Sequence, residues 1–279
     1  MVLSALAFSG LDLTRKLLAG RIDALALVFF MSLGAVPLLG ALLFLHGVGT
    51  ISPGYFAPAL GALSLNFLAS LAFIYSVKLS PLSRTIPLLS LTPVFTALTA
   101  IPLLGELPSR KQWLGVLLVV GGAMALNASG SLSGALRRMV AEKGALLMIA
   151  VALMWSVSGP LDKQAIGHAS VYVHATAMAL GVSLGALGVL CGQGRLGVLR
   201  GGRKEARLLV AAMICVSFAL LFQLLAIRGI LVSVVEAFKR ALGSLMAVIL
   251  GSVAFRETVR SREWIAVSVM VAGVFLILT

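Results

Sequence analysis

The chain has 279 residues, of which 60% are hydrophobic and only 11% charged, and its mean hydropathy is +1.11. Soluble domains carry roughly 25% charged residues, so a water-soluble globule is excluded and a polytopic α-helical membrane protein is expected. The net charge of +13 does not point to nucleic acid, because most Lys and Arg fall between apolar runs, where such charges set membrane topology.

A membrane-crossing helix needs about 20 mostly apolar residues. The apolar runs predict ten spans, over 2–18, 24–45, 56–77, 83–104, 111–127, 144–164, 171–191, 207–227, 232–254 and 263–279. The runs are continuous rather than alternating, which argues against a β-barrel. The opening "MVLSALAFSGLDLTRK" has no basic region before its apolar residues and no small-residue cleavage pattern. It reads as a first membrane helix rather than a signal peptide. Near the end of that helix stand Asp12, Arg15 and Lys16. The fourth span contains Pro87, Pro93 and Pro102. Proline removes a backbone donor and favours kinks, so Pro87 and Pro93 are candidate helix breaks or gating points.

The longest connections cover 127–144 and 191–209. The second contains "GQGRLG" (192–197), which fits the G-x-G-x-x-G spacing. A dinucleotide site needs that motif between a strand and a helix; here it joins two membrane spans and is rejected. "NAS" at 127 fits a glycosylation acceptor, but so short a match is common. The sixth span holds Trp155, with Asp162 and Lys163 near its end. Gly181 and Gly185 in the seventh form a small-xxx-small pair suited to helix packing. Cys191 and Cys215 suggest neither a disulfide framework nor a metal site. No Ser/His/Asp or metal-ligand constellation of the required spacing is present, so no cofactor and no enzyme chemistry are expected.

The ninth span, "LVSVVEAFKRALGSLMAVIL" (231–250), places Glu236, Lys239 and Arg240 inside an apolar run. At about 100° per residue these three, with Ser233, Gly243 and Ser244, fall within an arc of about 140°. A charge at the bilayer centre costs ~2.5–3.5 kcal/mol on insertion scales, so such residues face a polar interior or each other. Two readings stay open: an internal Glu236–Arg240 ion pair locking helices, or a cavity lining.

Internal repetition organises the chain. "GELPSRKQWLGVLLVVGG" (105–122) and "RETVRSREWIAVSVMVAG" (256–273) pair Glu106, Trp113 and Gly122 with Glu257, Trp264 and Gly273. "LAFSGLDLTRKLLAG" and "LMWSVSGPLDKQAIG" pair Phe8 with Trp155, Lys16 with Lys163 and Gly20 with Gly167. The chain therefore reads as two five-helix units, 1–130 and 131–279. Because five is odd, the second enters the membrane from the opposite side, an arrangement typical of secondary transporters with a site near the midplane. The positions matching Lys239 and Arg240 in the first half are Leu88 and Leu89, so the charges are not duplicated.

"SPLSRTIPLLSLTPVFTALTAIPLLGELPSRKQWLGVLLVVGGAMALN" and "VVEAFKRALGSLMAVILGSVAFRETVRSREWIAVSVMVAGVFLIL" resemble the two EamA-type repeats of the drug/metabolite transporter superfamily. The resemblance covers nearly the whole chain and is strongest at Pro93, the "LGE" and "FRE" endings and the Gly-containing helix after each. It implies ten helices, a central cavity made largely by the first four of each half, and peripheral fifth helices that in some relatives help form a homodimer. It does not imply a substrate, since members move amino acids, nucleotide sugars, phosphorylated sugars, drugs and other metabolites.

Sixteen of the 22 Lys and Arg lie in odd-numbered connections and four in even-numbered ones, with Lys239 and Arg240 inside a span. The positive-inside rule then places the odd connections in the cytoplasm and both termini outside; many relatives of the resembled family have both termini inside. The expected function is a secondary transporter in a cell membrane, in a bacterium the inner membrane. It moves a small-molecule substrate, favoured as an organic anion or phosphorylated compound, by alternating access across the lipid bilayer. Proton or exchange coupling is expected, because no ATP-binding motif is present, and Glu236 is the candidate coupling carboxylate. Efflux of drugs or amino acids and flipping of a lipid-linked substrate are the alternatives. The candidate site residues are Lys239, Arg240, Glu236, Lys163, Lys16, Trp155, Tyr75 and Ser244. Gln164, Tyr172, Asn66 and Gln223 are further polar candidates. His168 and His174 are expected at the membrane interface. Glu106 and Glu257 are expected to be structural, pairing with Arg110 and Arg260 or meeting backbone donors.

Overall fold

A computed structural model of the chain describes residues 1–80, 85–127, 142–254 and 261–278. Among them are ten α-helices: α1 (Val2–Ala19), α2 (Ala24–His46), α3 (Phe56–Leu79), α4 (Thr92–Leu104), α5 (Arg110–Asn127), α6 (Lys143–Ile166), α7 (Val171–Gly192), α8 (Ala206–Gly229), α9 (Val232–Ala254) and α10 (Ser261–Leu278). Short 3-10 segments precede α3, α4 and α8 at Pro53–Tyr55, Ile86–Leu91 and Leu196–Glu205. Five helices, α2, α3 (with the turn before it), α6, α7 and α8, are long and apolar enough by length and composition to cross a membrane. Glu257 and the "NAS" at 127–129 lie at least partly outside the described residues.

Local signals start the helices where the sequence provides them. Asp23 caps α2, its Oδ1 accepting from the backbone N–H of Leu25 at 3.0 Å and of Ala26 at 3.4 Å. Ser170 caps α7 by accepting from Val173 N–H at 3.2 Å. These side-chain oxygens satisfy donors that have no partner within the first helical turn. The fourth span differs from the expected continuous helix over 83–104. It is a 3-10 segment through Leu91, followed by a 13-residue α4 that ends at Gly105 in the left-handed region, φ 69°. Pro87 lies in the first turn of the 3-10 segment and Pro93 in the first turn of α4. Proline is tolerated at a helix start and cannot supply the N–H that an unbroken helix would need. The pseudo-equivalent α9 has no proline and runs unbroken for 23 residues.

The packing pattern reveals the two repeats and their inversion. Exchanging the halves maps α1–α5 onto α6–α10, and the observed contacts follow that exchange: α3 packs on α6 and α1 on α8, while α4 packs on α6 and α1 on α9. The pairs α2 with α8 and α3 with α7 follow it too, and the pairs α2 with α7 and α5 with α10 are each made of equivalent helices. The α1–α2 connection meets the α7–α8 connection through Arg21–Glu205 at 3.0 Å and Asp23–Arg195 at 2.7 Å. Its counterpart, the α6–α7 connection, meets the α2–α3 connection through Ser52 and His168, with hydroxyl to Nδ1 at 2.8 Å. Because each unit has five helices, an odd number, connection one and its counterpart six fall on opposite faces, so the two units are oppositely oriented.

The α5–α10 pair explains the repeated glycines. A Cβ on Gly122 would lie 2.8 Å from Ala266 O, and on Gly273 2.7 Å from Gly115 O. Gly115 would likewise place a Cβ 2.6 Å from Gly273 O. The backbones are in direct contact, the way helices associate where burial in lipid gives no hydrophobic gain. Gly181 acts similarly on α7, where a Cβ would meet the Leu63 side chain at 2.6 Å.

Candidate functional site

Helices α1, α2, α3, α6, α7, α8 and α9 surround one cavity of about 130 Å³. A single water centre needs only about 10–15 Å³, so the space is large enough for a small organic solute. The aromatic part of its wall comes from Phe8 and Trp155, the pseudo-equivalent residues of α1 and α6. Trp155 is braced by Phe73, ring centroids 5.8 Å apart.

The charged part of the wall comes from α1, α6 and α9. Glu236, Lys239 and Arg240 all line the cavity, together with Asp12, Arg15 and Asp162. Glu236 Oε1 accepts from Lys239 Nζ at 2.6 Å, a pair three residues apart on one helix and almost completely buried. Lys239 Nζ also donates to Gln223 Oε1 at 2.7 Å and sits 4.1 Å above the Phe8 ring. All of its favourable interactions are therefore made inside the protein. Arg15 lies 3.8 Å from Asp12 and 5.4 Å above the Phe73 ring. Asp162 is engaged by His174, Oδ1 to Nε2 at 3.0 Å.

Arg240 is different. Its Nε is buried without a hydrogen-bond partner, and it forms no ion pair among the described residues. The three lining carboxylates are matched to Arg15, His174 and Lys239, which leaves the Arg240 guanidinium without a carboxylate partner on the cavity wall. The two readings of the ninth span are thus both partly realised: an internal ion pair exists, but it joins Glu236 to Lys239 and leaves Arg240 to the cavity.

Lys163 lies outside this cavity's lining. It forms an ion pair with Glu106 Oε1 and donates to Ile230 O at 2.8 Å. Glu106 Oε2 accepts from Val232 N–H, the first residue of α9, at 3.0 Å. This clasp joins the α4–α5 connection, the end of α6 and the start of α9 on the even-numbered face, and the acidic side chain suits the positive end of the helix dipole. Glu106 is accordingly structural, bound to Lys163 and a backbone donor rather than to Arg110. Lys16 and Tyr75 are exposed and Ser244 is half-buried; none of the three lines the cavity. Pro93 is buried at the start of α4, and Pro87 sits in the 3-10 segment before it.

His174 is fully buried within the protein in the first turn of α7, and its Nδ1 meets the Tyr55 hydroxyl at 3.2 Å. His168 is exposed at the even-numbered face, bonded to Ser52. A signal for the buried cluster was available: Asp162 lies four residues before the end of α6 and His174 three after the start of α7. The short turn between these helices brings residues at matched depth together. Arg15, rather than its neighbour Lys16, is the α1 cation on the cavity.

The EamA-like transporter family model matches the chain twice, over residues 1–128 and 142–279. One solved crystal structure superposes with a TM-score of 0.77 over 99% of this chain and 93% of its own, at 19% identity, which is a likeness of fold. No match was found among curated proteins.

Proposed function

This chain belongs to the EamA-like transporter family, and from that premise we propose that it moves a small organic anion, carboxylate or phosphate, across a bacterial inner membrane. Transport proceeds by alternating access and leaves the substrate chemically unchanged. The observation that supports this reading is Arg240, a guanidinium on the cavity wall whose Nε is buried without a partner while the neighbouring carboxylate is held by Lys239. A cation left in that state is costly in a low-dielectric interior. A planar fork of donors suits carboxylate or phosphate oxygens better than it suits a neutral solute. Phe8 and Trp155 supply an apolar surface for the rest of a small metabolite.

The two halves rock about the cavity, opening alternately to the face held by Ser52–His168 and the face held by Arg21–Glu205 and Asp23–Arg195. The test is uptake of labelled malate and glucose 6-phosphate into proteoliposomes. At least one is taken up by the wild type, and R240Q lowers its affinity at least tenfold while remaining folded. Unchanged uptake by R240Q, or wild-type transport confined to cationic dyes, would sink the proposal.

A further inference from the structure

A line of three buried side chains runs from the cavity wall towards the even-numbered face. Asp162 lines the cavity, and its Oδ1 lies 3.0 Å from His174 Nε2. His174 Nδ1 lies 3.2 Å from the Tyr55 hydroxyl. Tyr55 belongs to the turn Pro53–Tyr55, three residues beyond Ser52, which holds His168 at the surface. His174, Asp162 and Tyr55 are 0%, 3% and 6% exposed. An ionised carboxylate only accepts hydrogen bonds, so neutral His174 carries its proton on Nε2 and offers Nδ1 to the Tyr55 O–H. The chain Tyr55–His174–Asp162 is then continuous in donors and acceptors.

We propose that His174 and Asp162 form the binding site for a coupling proton, reached through Tyr55 from the even-numbered face. The proton comes from water and adds to His174 Nδ1. The ring then carries N–H on both nitrogens, and the Tyr55 hydroxyl turns to accept from Nδ1. The pair goes from a net charge of −1 to zero, and release reverses each step. Glu236 is less suited to this role, since Lys239 already holds it.

The groups around His174 allow such a titration. Among the described residues, those within hydrogen-bond reach of it are Asp162 and Tyr55. On the elements packed against α7, His46 of α2 stacks on Tyr172 instead, and Lys163 of α6 is held by Glu106. Tyr75 and Lys78 lie near the far end of α3, and Arg207 and Arg228 at the two ends of α8. Arg200, Arg203, Lys204 and Glu205 belong to the 3-10 segment beyond the far end of α7. The remaining charges, Asp12, Arg15, Glu236, Lys239 and Arg240, share the cavity with Asp162. Adding one positive charge to that wall favours an anion at Arg240, and the anion favours the proton by the same factor. Only this sense of coupling rests on the anion reading; the proton site does not.

The chain has three histidines, so 15N-histidine NMR of the full chain in nanodiscs can follow each, with H174Q identifying the His174 signals. The expected result is that lowering the pH converts His174 from the Nε2-protonated neutral form to the doubly protonated form. In D162N, where an amide replaces the carboxylate facing Nε2, that conversion is not reached over the same pH series. A His174 that keeps one neutral form throughout, or an unchanged response in D162N, overturns the site. Proteoliposomes enclosing a pH-sensitive dye supply the second arm, with malate or glucose 6-phosphate added outside. Internal acidification with uptake in the wild type, lost in H174Q, supports the coupling. Uptake without acidification overturns it. A titrating His174 with no uptake of either anion supports the proton site and sinks the anion reading instead.

Discussion

Glu236 and Lys239 hold each other at 2.6 Å across one turn of α9, both less than a tenth exposed. Arg240, the next residue, has no such partner among the described residues. One helix thus carries a satisfied pair on the cavity wall and a lining cation without a carboxylate partner there, and the two can be separated experimentally.

Lys239→Met leaves Glu236 buried without its cation, a change that costs about 3–5 kcal/mol when a buried pair loses one partner. Thermal unfolding in detergent should show a marked fall in Tm. The double variant E236Q/K239M should recover much of it. A Tm unchanged by K239M would mean that the pair is solvated.

Glu106→Ala removes both the acceptor for Val232 N–H and the anion for Lys163. The expected loss is about 1–3 kcal/mol, the usual cost of stranding buried hydrogen-bonding groups. Glu106→Gln retains an acceptor and should fall in between. Neither variant should change the affinity for a transported anion, measured as the KM of uptake, because the clasp lies outside the cavity lining.

Gly273→Leu forces apart α5 and α10, since even a Cβ would lie 2.7 Å from Gly115 O. Overpacking of this kind costs about 1–3 kcal/mol or more. The effect should be clear in detergent unfolding. A control change at Gly188, where a Cβ meets nothing within 4 Å, should be nearly neutral.

The exposed pair Arg21–Glu205 should contribute at most ~1 kcal/mol to stability, as surface ion pairs do, yet its position matters for movement. In a background lacking Cys191 and Cys215, R21C/E205C cross-linked by oxidant should stop uptake, and reductant should restore it. Transport that continues in the cross-linked protein would show that this face does not open at that point.

Leu196→Cys, exposed beside the same connection, tests the orientation. The charge bias predicts labelling by an impermeant reagent from the cytoplasmic side only. Labelling from outside would place both termini in the cytoplasm.

Hydropathy alone marked the ten helices within a few residues, because a segment in lipid must be both apolar and internally hydrogen-bonded. The fourth span is the instructive exception. Its length came from apolar composition, whereas its break came from Pro87 and Pro93, whose effect on the backbone is local and therefore readable. The match of Gly122 to Gly273 was visible as a repeat. Its reason, backbone contact between α5 and α10, required both helices in place.

The site divides in the same way. The sequence by itself determined that Glu236, Lys239 and Arg240 share a stripe of α9, since helical periodicity fixes the direction of side chains on one helix. It could not decide which carboxylate holds which cation. Lys163 and Lys16 occupy equivalent positions, yet one is clasped by Glu106 and the other is exposed. Asp162, His174 and Tyr55 come from two helices and the turn before a third. Pairing between helices depends on their rotation and depth, which are set by packing across the whole bundle. Only the tertiary structure could leave Arg240 to the cavity and join His174 to Asp162.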